Sequence, residues 1–280
     1  MTLLRAACVQ MRSGVEIAPN IVAASTLVRQ AATAGATFIA TPEMTNLLDI
    51  RPGMARPKIV SQDDDATLAA FRALADELGV WLLLGSIAVT VEGDDRFANR
   101  SFLIGPDGTI IAQYDKIHMF DVEVGDGQTY RESRAYRPGE SATLACTAIG
   151  RMGMTICYDL RFPALYRSLA QAGAQILTVP AAFTRVTGEA HWHVLLRARA
   201  IETGCFVIAP AQGGRHEDGR ETYGHSLIIS PWGEILAEAE SDAPGVIWAD
   251  IDLDQVDKAR ARIPSLGNDQ AFSLNTLGEA

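Results

Sequence analysis

The chain has 280 residues, of which 48% are hydrophobic and 21% charged; that is enough apolar material for one large core and too much for a disordered chain. Its formal net charge of −10, with no basic stripe interleaved with aromatics, argues against a nucleic-acid partner, because phosphate binding needs clustered Lys and Arg. No apolar run approaches the roughly 20 residues that span a bilayer. The first ten residues have neither a basic leader region nor a small-residue cleavage site. The four cysteines Cys8, Cys146, Cys157 and Cys205 show no paired spacing, so free thiols in a cytoplasmic protein are expected.

Strand and helix signals alternate along the chain. Residues 3–10 read as a buried strand and 19–34 as a helix with Pro19 near its first turn and Gly35 after its end. A short apolar strand over 37–41 precedes a helix over 65–78 closed by Gly79, and 80–87 is strongly apolar. Residues 99–104 and 109–114 flank Gly105-Pro-Asp-Gly108 and predict a hairpin. The same device recurs at 226–230 and 234–239 around Pro231-Trp-Gly233, which hints at an internal pseudo-repeat. Between these hairpins fall strands at 151–156, 175–179 and 206–209, and helices at 163–172 and 189–203. A strand at 246–251 and a short helix at 253–263 follow. Alternation mixed with hairpins predicts α/β with mixed sheets, and no Gly/Ser/Pro linker divides the chain, so residues 1–280 read as one domain. Residues 121–139 and 211–223 read as long irregular loops of the kind that carry function.

Several chemistries are excluded. There is no GxSxG elbow, no GxxxxGK[ST] and no GxGxxG. His191 and His193 stand two apart on a predicted helix and so point to different faces, HExxH is absent, and no metal site is expected. The informative stretch is Gly153-Met-Thr-Ile-Cys157-Tyr-Asp-Leu-Arg-Phe-Pro163. A strand runs into a turn, and a helix starts at the proline. A cysteine there sits at the carboxyl end of a strand, where nearby backbone N–H groups can face a bound oxygen and the helix dipole favours thiolate. The alternative is a buried structural cysteine, the usual fate of a free thiol.

Two further segments decide between these readings. Thr41-Pro-Glu43 follows a short strand, and Tyr114-Asp-Lys116-Ile-His118 follows another. Together with Ile156-Cys157-Tyr-Asp-Leu-Arg161 they resemble, in order and context, the three motifs of the nitrilase superfamily of carbon–nitrogen hydrolases. The resemblance runs from Ala7 to about Ile263 and implies an α-β-β-α sandwich. It implies Cys157 as nucleophile, Glu43 as general base, Lys116 and the backbone N–H of Tyr158 as oxyanion stabilisers, and Glu132 as a second glutamate orienting Lys116 and the substrate amide. A lysine beside the thiolate implies a lowered thiol pKa. No organic cofactor or metal is implied, and a homodimer is.

The segments 190–203, 116–121 and 223–226 are similar to the branch holding ω-amidases and deaminated-glutathione amidases, and 209–216 to the latter. The implied reaction is hydrolysis of the amide of a small carboxylate-bearing substrate; ω-amidase and nitrilase are the alternatives, and a non-catalytic interaction protein is the rival of another class. Phe183 and Thr184 are expected in the pocket wall, and Arg161 or Arg185 opposite a substrate carboxylate. Arg197, Arg199 and Glu202 are expected to form a structural ion-pair network, with a subunit contact as one place for it. Asp115 and Met44 depart from the family pattern, Met44 in the pocket wall.

Overall fold

The computed structural model describes residues 3–125 and 129–278. Two six-stranded mixed sheets form its centre. The first is built from β1 (Leu3–Gln10), β2 (Phe38–Ala40), β3 (Trp81–Val91), β4 (Asp94–Ile104), β5 (Ile110–Asp115) and the late β16 (Gly245–Asp252), in the order β16-β1-β2-β3-β4-β5. Two small pairs lie outside the large sheets: β6 (Asp121–Glu123) with β7 (Thr129–Arg131), and β12 (Gly213–Arg215) with β13 (Glu221–Tyr223). The second sheet contains β8 (Thr143–Thr147), β9 (Gly150–Met154), β10 (Ile176–Thr178), β11 (Phe206–Ala209), β14 (Leu227–Ile229) and β15 (Ile235–Glu238), ordered β15-β14-β11-β10-β9-β8.

The hinted pseudo-repeat is present in the pairing. In the first sheet β1, β2 and β3 are parallel, β4 and β5 continue antiparallel, and β16 pairs antiparallel on the other side. In the second, β9, β10 and β11 are parallel, β14 and β15 continue antiparallel, and β8 pairs antiparallel on the other side.

Helices cover the outer faces, giving an α-β-β-α sandwich. Strand alternation sends Ala7 and Val9 into one cluster with Ala24 and Val28 of α1 (Ile17–Thr33) and Phe71 and Leu74 of α2 (Ala66–Leu78). Ala6 and Cys8 go to the other face, into the core shared with the second sheet, α3 (Pro163–Gln171) and α4 (Arg185–Thr203). The short α5 (Asp254–Arg262) buries Val256 in the same core. Local chemistry sets the boundaries: Asp65 accepts from Leu68 N at 2.8 Å to cap α2, and Gly79 and Gly204 end α2 and α4 in the left-handed region. α4 starts at Arg185, four residues before the expected start.

Both expected irregular loops hold structure instead. Residues 211–223 contain the β12–β13 hairpin, and 121–139 contain β6, β7 and a 3-10 turn over Glu132–Arg134, with 126–128 outside the described residues. Short strands of three polar-flanked residues leave no periodicity to read.

Candidate active site

The carboxyl ends of β2, β5, β9 and β10 converge on one cavity of about 470 Å³, with Glu43, Lys116, Glu132, Cys157 and Tyr158 in its wall. Phe183 and Thr184 also line it, as does Met44.

Glu43 is carried on a turn fastened to β3. Thr41 N donates to Leu83 O at 2.9 Å, Gly85 N to Thr41 Oγ1 at 3.1 Å, and Ser86 N to Pro42 O at 3.3 Å. Gly85 is required here: a Cβ on it would lie 1.9 Å from Thr41 O. The β3–β4 register also shifts between Leu84 and Ile87, beside this contact. Met44 follows in the left-handed region (φ 53°), a strained conformation for a non-glycine residue, with its N–H donating to Ser86 Oγ at 3.0 Å. The result aims a buried carboxylate inward: Glu43 Oε1 accepts from Lys116 Nζ and from Asn99 Nδ2, each at 2.9 Å, and Oε2 accepts from Ala182 N at 2.9 Å.

Lys116 leaves the end of β5 with its N–H bonded to Asn99 O and its carbonyl accepting from Gly139 N at 2.7 Å. Its ammonium donates to both oxygens of Glu132 at 2.9 Å. Glu132 is held in turn by Phe120 N at 2.6 Å. Asp115, the neighbour that departs from the family pattern, pairs with Arg100 across β4–β5 at 2.6 and 2.9 Å.

Cys157 opens a 3-10 turn (Cys157–Arg161) with φ at 49°, and its N–H donates to Pro180 O at 2.9 Å. Its thiol lies beside the Glu43 carboxylate. Asp159 ties this turn to the Lys116 segment. It accepts from Ile156 N at 2.8 Å, from His118 N at 3.1 Å and from Tyr114 Oη at 2.7 Å, and its Oδ1 lies 2.7 Å from His118 Nδ1. Arg199 holds the same turn from behind, donating to Leu160 O at 3.0 and 2.7 Å and pairing with Glu202 at 2.8 Å. Arg197 lies outside that ion pair and donates to Gly233 O.

The charges follow from these neighbours. Burial raises the Cys157 thiol, and the adjacent Glu43 carboxylate adds to it, so the thiol sits well above its usual range despite Lys116. This reverses the expected lowering: the lysine is shared with two carboxylates, and one of them touches the thiol. Burial alone would raise Glu43, but the Lys116 ammonium outweighs it and holds the carboxyl below its usual range. Burial opposes the Lys116 charge, and Glu132 and Glu43 overcome it, raising Lys116 well above its ordinary value. The resting site is therefore a thiol, a carboxylate and an ammonium.

The two arginines expected near a substrate carboxylate are elsewhere. Arg161 lies over the Phe183 ring, 5.4 Å from its centroid, and reaches His191; Arg185 is exposed and pairs with Glu189 one helical turn on. Neither lines the cavity. Arg220 does. It donates to Ala182 O at 2.7 Å, and its Nε is buried without a hydrogen-bond partner among the described residues. Asn99, Asp159, Ala182 and Arg220 escaped the sequence reading. Asp159 and Arg220 stood inside segments already singled out, but nothing in their spacing marked them.

A profile of the carbon-nitrogen hydrolases matches residues 5–261. The chain belongs to the carbon–nitrogen hydrolase family. A deaminated glutathione amidase of Yersinia enterocolitica is 40% identical over 269 residues, covering 95% of this chain and 93% of the relative. The NitFhit protein of C. elegans superposes with a TM-score of 0.87 at 34% identity over 96% of this chain, which spans 65% of the NitFhit chain. Nit3 of Saccharomyces cerevisiae, a member of branch 10 of the nitrilase superfamily, superposes at 0.84 with 28% identity over 94% of each chain. As a carbon–nitrogen hydrolase, the chain is an enzyme acting on carbon–nitrogen bonds other than peptide bonds. Among the described residues no helix is long and apolar enough to cross a membrane.

Proposed function

We propose that the chain is a cysteine-dependent amidase that hydrolyses the amide of a small carboxylate-bearing substrate, of the deaminated-glutathione type. The observation that carries this reading is the Cys157–Glu43–Lys116–Glu132 constellation at the head of a cavity whose wall also includes Arg220.

Sγ of Cys157 attacks the amide carbon while Glu43 takes its proton; the depressed Glu43 and the raised thiol keep that proton on sulfur until attack. The carbonyl oxygen becomes an oxyanion received by the Lys116 ammonium and the Tyr158 N–H, an interaction whose loss costs about 10²–10³ in rate. Glu43 then protonates the departing nitrogen as the carbon–nitrogen bond breaks, leaving a thioester. It next takes a proton from water, which attacks the thioester; the carboxylic product leaves and the proton returns to sulfur. Glu132 keeps Lys116 oriented through its two contacts.

Arg220 supplies the anchor for the substrate carboxylate. The name of the Yersinia relative supports the same substrate class. The protein acts in the cytoplasm as a homodimer. The free thiols support a reducing compartment. Val186, Val194 and Ile201, exposed along one stripe of α4, support self-association.

The test is a panel of α-keto-acid amides, deaminated glutathione and uncharged amides assayed side by side with Arg220→Met. Carboxylate-bearing amides should lead, and the variant should raise their KM about 10–100-fold, the range of a lost charged hydrogen bond, while sparing uncharged amides. Equal effects on both classes would remove Arg220 from this role, and no turnover of any amide would revive the non-catalytic reading.

A further inference from the structure

Three ligand-type side chains from separate segments meet away from the cavity. His193 lies on α4, His225 two residues after β13, and Glu238 at the end of β15. Glu238 Oε1 is 2.8 Å from His193 Nε2 and 3.3 Å from His225 Nδ1. The three ligand atoms all lie within 4.8 Å of one another, and each side chain is between a fifth and a third exposed. None lines the catalytic cavity.

We propose that His193, His225 and Glu238 form a binding site for a divalent transition-metal cation, zinc above all, that fastens α4 to the β14–β15 hairpin. The chemistry is that of the donor set: two imidazole nitrogens and one carboxylate oxygen suit zinc, with water as the fourth ligand. Zinc bonds of about 2.0–2.1 Å place tetrahedral ligands roughly 3.3 Å apart; the 3.3 Å separation matches that spacing and the 2.8 Å one needs to open by about 0.5 Å. Each ring bonds Glu238 through a nitrogen that must carry a proton; metal binding moves that proton to the other ring nitrogen and leaves the charge balance otherwise intact.

The surroundings hold the set in place. His225 is in the left-handed region (φ 53°), with its carbonyl accepting from Trp192 Nε1 at 2.8 Å. Its ring stacks on Tyr223 at 4.4 Å between centroids, and the His193 ring meets Tyr223 edge-on at 5.9 Å. Gly188 lets α4 press against Tyr223, since a Cβ there would lie 2.3 Å from the tyrosine side chain. His191 takes no part: it faces Arg161 at 3.3 Å, as a residue two positions from His193 on a helix must point elsewhere. The expectation that this pair of histidines binds no metal rested on patterns along the chain, their spacing and the absence of HExxH, whereas the partners of His193 come from other elements.

The test uses the full chain in a Cys146→Ser background, because that exposed thiol would itself bind zinc. The protein is stripped with chelator, dialysed, and titrated with Zn²⁺ by calorimetry and with Co²⁺ by visible absorption. One equivalent should bind, with a Co²⁺ spectrum lacking a thiolate charge-transfer band and a melting temperature that rises with Zn²⁺. His193→Ala and Glu238→Gln should each weaken binding by about 100-fold or more while the metal-free variants keep their amide turnover, which shows that they fold. No binding to the parent chain at about 100 µM Zn²⁺, or unchanged affinity in both variants, would overturn the proposal.

Discussion

Cys157 and Cys205 are both buried, and burial raises both thiols, yet only one stands where chemistry can happen. Cys205 even has a cation in contact: Arg260 donates to its sulfur at 3.1 Å, while the thiol itself points at Ala174 O at 3.2 Å. Among the described residues no carboxylate stands ready to take its proton, and it does not line the catalytic cavity. Cys157 has both a carboxylate and the cavity, and its left-handed backbone turns the sulfur to them. A buried thiol and a nearby cation are therefore not enough for the nucleophile proposed here, which also needs an adjoining base and access.

The contrast can be broken most directly by truncating each sulfur. Cys157→Ala should lower kcat/KM for the best amide by more than about 10⁴-fold while the fold persists. Cys205→Ala should leave turnover within about threefold and cost roughly 1 kcal/mol in urea denaturation, the loss of one small buried group. Comparable activity losses in the two variants would erase the distinction.

Glu43→Gln tests the base and should cost on the order of 10³ in kcat. The wild-type pH profile sharpens the same point. Glu43 is depressed, so activity should fall only as pH drops below the ordinary carboxylate value of about 4.3; the thiol is raised, so any alkaline limb should lie above about 8.5. A limb near neutrality would mean that the thiol is lowered after all.

The smallest expected effect concerns the scaffold shared by Lys116 and Cys157. Asp159→Asn turns one acceptor oxygen into a donor amid Ile156 N, His118 N and Tyr114 Oη, and should cost roughly 2–3 kcal/mol of stability. Chemical denaturation measures it. A neutral substitution would show that the nucleophile turn is held by Arg199 and Pro180 alone.

Much of this site was legible through its resemblance to the family motifs, which local rules place at strand ends. Apolar runs ending at Thr41, Tyr114 and Ile156 put Glu43, Lys116 and Cys157 at strand ends, and Gly105-Pro-Asp-Gly108 marked the β4–β5 turn that leads to Lys116. Gly79 and Gly204 announced two helix ends through the left-handed conformation they alone adopt cheaply. The edge strand β8 went unread because Thr143–Thr147 is half exposed and mixes polar with small residues. Arg220 and Asn99 were invisible for a different reason. Their importance comes from what other segments bring to them, the Ala182 carbonyl to one and Glu43 to the other, and no spacing along the chain records that. The expected lowering of the Cys157 thiol weighed only the lysine; burial, and then the Glu43 carboxylate brought beside the sulfur by the fold, raise it instead.

The proposed mechanism passes through a covalent acyl group on Cys157. Glu132→Ala, which leaves the thiol and Glu43 in place but loosens Lys116, should slow turnover enough to trap it. Intact-mass measurement after rapid acid quench with a carboxylate-bearing amide, followed by peptide mapping, should show a mass gain equal to the substrate's acyl group on the peptide carrying Cys157. Continued product release with that peptide unmodified, or the adduct on another cysteine, would contradict the account.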